Sequence, residues 1–103
     1  MNRTTRAETP FKAIRRIVLE GEYDLTRKEE ILALFGTLLP GKPVTIDLRR
    51  VTYADSTILA ALVTLAQRSQ GAVITLLGPQ PQVRRILKFV SFDRLFRIVD
   101  GEL

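Results

Sequence analysis

The chain has 103 residues, enough for one domain with a modest core, and its 46% hydrophobic content suits a soluble globule. It contains neither Cys nor His, which excludes disulfides, thiol nucleophiles, zinc sites built on thiolate or imidazole, and any Ser-His-Asp arrangement. The net charge of +5 is spread over separate pairs, Arg15-Arg16, Arg49-Arg50 and Arg84-Arg85, with no interleaved aromatics; this reads as solvated arginines, and no direct nucleic-acid partner is expected.

Residues 1–10 are polar and read as a disordered arm without the apolar stretch of a signal peptide. Ala13 to Glu20 reads as a strand, and Gly21-Glu22-Tyr23-Asp24 as a turn. Thr26-Arg27-Lys28-Glu29 matches a capping box, in which hydroxyl and carboxylate satisfy free helix N–H groups reciprocally. Ile31, Leu34, Phe35 and Leu38 then fall on one helical face, and Pro40-Gly41-Lys42-Pro43 stops the helix. Val44 to Leu48 reads as a strand with a trailing loop to Ala54. Ser56 to Gln70 reads as a helix closed by Gly71, apolar nearly all round in its first turns and therefore the most buried. Its longest apolar run, Thr57 to Ala66, is about half the ~20 residues that a spanning helix needs, so no membrane insertion is expected and the chain reads as cytoplasmic.

Ala72 to Leu77 is almost wholly apolar, which suits a central strand covered on both faces. Gly78-Pro79-Gln80-Pro81 leads into a helix with Val83, Ile86, Leu87 and Val90 on one face and Arg84, Arg85 and Lys88 on the other. Phe92 to Phe96 reads as a short turn or helical piece, and Phe96 to Val99 as a final edge strand. The order strand, helix, strand, helix, strand, helix, strand predicts an α/β fold: a mostly parallel sheet of four or five strands with crossover helices. Sites in such folds gather at the strand-to-helix loops. Two of these hold Asp24 and Asp55-Ser56, which would share one edge if their strands are neighbours. Acidic residues otherwise stand singly apart from Glu29-Glu30, and no Gly-rich phosphate loop is present. No enzyme activity and no cofactor or metal is expected.

Asp55-Ser56-Thr57 is the decisive stretch. A hydroxyl where a strand hands over to a helix can cap the helix, or it can be a surface serine offered for modification. Local chemistry leaves both open.

The ordered set Gly21-Glu22-Tyr23-Asp24, Thr45 to Thr57, the apolar helix, Gly71, Leu76-Leu77-Gly78-Pro79, Val83 to Leu87 and Phe92 to Phe96 resembles a STAS domain, the fold of bacterial anti-sigma factor antagonists. The resemblance covers about Ile17 to Val99, and residues 11–103 are expected to form a single STAS domain. It implies phosphorylation of the residue after the aspartate, here Ser56 and less so Thr57, by a serine kinase that is also the anti-sigma factor. The unphosphorylated form would bind that kinase, and a phosphatase would reset the switch. Asp24, Asp55, Ser56, Thr57 and Ile58 are then the expected partner-binding residues. Ile58 stands where the family commonly has Gly, and is either a buried helix residue or an exposed anchor. Stand-alone STAS domains also resemble small subunits of lipid-transport ABC complexes, which makes an ABC-transporter ATPase the alternative partner. A monomer is expected, since no large apolar helix face is left unassigned.

Overall fold

The computed structural model describes residues 16–38 and 40–101. The polar arm at 1–10 and the start of the first expected strand, Ala13 to Arg15, lie outside the described residues.

Among the described residues four strands and three helices alternate: β1 (Arg16–Tyr23), α1 (Lys28–Gly36), β2 (Val44–Ala54), α2 (Ser56–Arg68), β3 (Ile74–Leu77), α3 (Pro81–Phe89) and β4 (Arg97–Val99). Short 3-10 turns at Leu25–Arg27 and Phe92–Arg94 precede α1 and β4. All three strand pairings are parallel, and the strands lie in the order β1-β2-β3-β4. In such a sequential sheet, right-handed crossovers put every connecting helix on the same side. One core results. Ile17, Leu19, Ile46, Leu48, Ile74 and Leu76 point from the sheet to Ile31 and Phe35 of α1, Ile58, Leu62 and Leu65 of α2, and Val83 and Leu87 of α3. The mostly parallel α/β expectation therefore holds, with four strands among the described residues.

β3 is buried on both faces along its whole length, as expected, and among the described residues the helices lie on one of those faces. The opposite face carries Arg16, Val18, Thr45, Asp47, Thr75, Leu77 and Arg97, as the strand registers require. An apolar run reports burial without saying what provides it.

Two boundaries differ from the sequence reading. The residues expected as a turn, Gly21 to Tyr23, continue β1, and Arg49 to Ala54 continue β2. The register between these strands shifts near Glu20 and again between Gly21 and Glu22. Such irregularities let strands follow an extended path with local twist. Gly21 sits there at φ +90, a conformation in which a side chain is strained. The Arg27 guanidinium fills the opening, donating to the carbonyls of Glu20 (2.7 Å) and Glu22 (3.2 Å) and to the Tyr23 hydroxyl (3.2 Å). It lies over the Tyr23 ring, 3.9 Å from the centroid, and also binds the Glu30 carboxylate through Nε and Nη2. One side chain thus ties the end of β1 to the start of α1.

On the helix-free face, Asp47 is 3% exposed. It accepts from the Arg49 backbone N–H (3.0 Å), Arg49 Nη2 (2.7 Å) and Arg16 Nη2 (2.9 Å). The Arg49 side-chain bonds above all, then its backbone N–H and Arg16, hold the Asp47 carboxyl well below the usual aspartate range despite its burial. A folded-state pKa below the unfolded one gives stability that is complete above the unfolded value, near pH 4, and is lost as pH falls through the folded value. Urea unfolding should therefore weaken steadily below about pH 4 in the wild type. Asp47→Asn should cost roughly 2–3 kcal/mol at pH 7 and flatten that acid dependence; an unchanged acid slope in D47N would contradict this account.

Candidate functional site

β1 and β2 run side by side to their last residues, where Tyr23 pairs with Ala54. The next residue of each strand is an aspartate. Asp24 and Asp55 therefore leave the same sheet edge on adjacent strands, and the Asp55 N–H donates to the Tyr23 carbonyl at 3.3 Å. The two do the same local job. Asp24 accepts from the Thr26 backbone N–H at 3.0 Å and from the Thr26 hydroxyl, and caps the 3-10 turn before α1. The Thr26 hydroxyl bond, then its N–H, lower the Asp24 pKa. Asp55 accepts from the Thr57 N–H at 2.8 Å and caps α2.

Both helix starts differ in detail from the sequence reading. The expected capping box at Thr26 is replaced by Asp24 two residues earlier, with Thr26 as the donor. At α2 the choice between a capping and a free serine is settled locally, because Asp55 holds the cap and Ser56 is the first helical residue. Ser56 is exposed, and its hydroxyl has no hydrogen-bond partner among the described residues. Thr57 is half-buried. Ile58 is 2% exposed and packs in the core with Leu62 and Val83. Its expected place among the partner-contacting residues is therefore corrected: the first turn of α2 lies over the sheet, and Ile58 points inward.

Ser56 opens onto a groove between α1 and α2 of about 310 Å³. Leu25, Lys28 and Leu32 form one wall, and Ser56, Thr57, Ala60 and Thr64 the other. Leu25 (69% exposed) and Leu32 (39%) give the rim an apolar character. Sequence reasoning missed this wall, although a signal was present. Ser56, Ala60 and Thr64 recur at i, i+4 and i+8, a stripe of small residues along one face of an apolar helix. Leu32 falls off the apolar face that Ile31 and Phe35 define. Among the described residues no group of three or more His, Cys, Asp or Glu side chains could hold a metal ion, and no helix is long and apolar enough to cross a membrane.

Comparison with known proteins places this architecture. A sequence model of the family described as "Mlab, STAS domain" matches residues 11–100. A STAS-domain containing protein of Pseudomonas aeruginosa (strain UCBPP-PA14) is 31% identical over 85 residues, spanning 80% of this chain and 84% of that protein. The chain belongs to the STAS-domain family. Its fold is also that of the anti-sigma factor antagonist SpoIIAA in its unphosphorylated form, with a TM-score of 0.71 and 20% identity over 87% of this chain and 84% of that one.

The capping assignment has a direct test. Asp55→Ala should lower unfolding stability by about 1 kcal/mol, the usual worth of an N-cap side chain. Ser56→Ala should change it by less than about 0.5 kcal/mol, as exposed and unbonded positions do. Chemical denaturation of the two variants checks both; equal losses would return the serine to a structural role.

Proposed function

We propose that this chain is a regulatory binding module, an anti-sigma factor antagonist that acts by partner switching. Unphosphorylated, it binds a serine-kinase anti-sigma factor through the Asp24 and Asp55 edge and the groove beside Ser56. The kinase phosphorylates Ser56, the complex dissociates, and a phosphatase restores the binding form. The carrying observation is that the Ser56 hydroxyl is exposed and unbonded while its neighbour Asp55 performs the capping. A modification there touches no interaction that holds the domain together.

The electrostatics favour a switch of this kind. A phosphate adds roughly −1.5 to −2 charges at pH 7. At the start of α2 the helix dipole is positive, so the domain tolerates the charge. In a closed interface the same charge adds to those of Asp24 and Asp55. Like-charge juxtaposition costs on the order of several kcal/mol, at least a hundredfold in occupancy. The module works by binding and release, with no chemistry of its own.

A second reading has one observation in its favour. The matching family is described by Mlab and not as an antagonist, and a permanent subunit of a lipid-transport ATPase complex is the other class the sequence resembles. Such a subunit would keep the groove covered and leave Ser56 unmodified, with the apolar rim of Leu25 and Leu32 as its contact.

Isolation of the protein with its partners from native cells separates the two. The antagonist reading expects a serine kinase that is retained by Ser56→Ala and lost, by at least a hundredfold in affinity, with Ser56→Asp. A transporter ATPase bound equally by both variants would overturn it.

A further inference from the structure

A second surface lies at the opposite end of the molecule. Parallel strands share their starting edge, and α3 runs back from the end of β3 to the start of β4. The last turn of α3 therefore reaches the edge where the strands begin, whereas Ser56 stands where they end. On the outer face of α3, Arg85, Lys88 and Phe89 fall at i, i+3 and i+4 and are all exposed. The chain then reverses at Ser91, which adopts a left-handed conformation (φ 62) and donates its N–H to the Lys88 carbonyl at 3.0 Å. Exposed Arg94 and Leu95 follow on the 3-10 turn, and Arg97 opens β4.

The composition of this corner is unusual for a surface. Phe89 is 88% exposed, and Val90 (39%) and Leu95 (55%) accompany it. Helix propensity and core packing explain Val83, Leu87, Phe92 and Phe96, which are buried. They give no reason for a bare Phe89. Arg85, Lys88, Arg94 and Arg97 form no ion pair among the described residues, in contrast to Arg16, Arg49 and Arg84, which meet Asp47 or Asp100. Asp93 is the single acidic residue among 85–97. An aromatic and two aliphatic side chains, accompanied by the unpaired cations Arg85, Lys88 and Arg94, are complementary to a surface that is both negative and able to accept apolar side chains. Another copy of the same corner would bring like charges together.

We propose that this corner docks the protein on an anionic lipid bilayer, with Phe89 and Leu95 entering the headgroup boundary and Arg85, Lys88 and Arg94 meeting lipid phosphates. Apolar insertion combined with basic charge is what peripheral membrane binding requires. No span is involved. The attachment leaves the Ser56 edge facing away from the bilayer, so both surfaces can be occupied together. It does not depend on the identity of the partner at that edge.

The test is vesicle co-sedimentation of the full chain with phosphatidylcholine vesicles, with and without phosphatidylglycerol. Binding is expected only to the anionic vesicles and should weaken as salt rises. Arg85→Gln/Lys88→Gln/Arg94→Gln should lower the partition coefficient on the order of a hundredfold, about fivefold per cation. Phe89→Ser/Leu95→Ser should also lower it, while Arg50→Gln, outside the corner, changes it by less than about twofold. These positions are exposed, and unfolding curves would confirm that the variants fold. Three outcomes would overturn the proposal. The wild type could fail to bind anionic vesicles at low salt. Binding could survive in both corner variants, which would assign it to Arg3, Arg6, Lys12 and Arg15. Light scattering could reveal a dimer abolished by Phe89→Ser, without vesicle binding, which would make the corner a contact between copies.

Discussion

The parallel pairing of β1 with β2, carried through to Tyr23 and Ala54, is the constraint on which the candidate site depends. It brings two aspartates thirty-one positions apart in sequence to one edge, each at the start of the next helical segment. That pairing needs a long β2, and β2 extends seven residues past Asp47, whose pair with Leu77 is its last with β3. Over that stretch β1 is its only strand neighbour among the described residues. Gly21 and Arg27 keep the irregular β1 in register there: the glycine takes the positive φ, and the guanidinium closes the carbonyls of Glu20 and Glu22. Stability and site geometry therefore meet in the same few residues.

Division of labour between adjacent side chains follows from this arrangement. Asp55 satisfies a free N–H of α2, and Ile58 anchors the first turn in the core. Ser56, between them in sequence, is left to solvent. A residue can change its charge without unfolding its surroundings only where nothing structural depends on it, and here the neighbours make that so. Asp47 shows the reverse. It is buried on the helix-free face, bound by Arg16 and Arg49, and committed to holding the sheet.

The architecture was legible because its signals are periodic and repeated. Alternating apolar runs and helical faces indicated the order of elements and the parallel sheet, and the Asp55-Ser56 junction stood out by chemistry. The failures have physical causes. Gly21 to Tyr23 carry turn-forming residues, yet pairing with β2 overrides local preference and keeps them extended. Thr26 and Glu29 satisfy a capping-box pattern, but Asp24 lies close enough to cap first. The groove wall was hidden because Lys28 and Leu32 come from a different helix, and only tertiary packing brings them opposite Ala60 and Thr64. The basic residues read as scattered pairs along the chain, whereas folding neutralises some with Asp47 and Asp100 and gathers Arg85, Lys88 and Arg94 at one corner.

The central claim is that charge at position 56 acts on an interface and not on the fold. Thermal unfolding of the chain carrying phosphoserine at position 56, against the unmodified chain, tests it most directly. The account predicts melting temperatures that agree within about 3 °C, less than the ~4–8 °C that accompany each kcal/mol in a domain of this size. A drop of ten degrees or more would mean that the phosphate disrupts α2 itself, and the separation between fold and switch would fail.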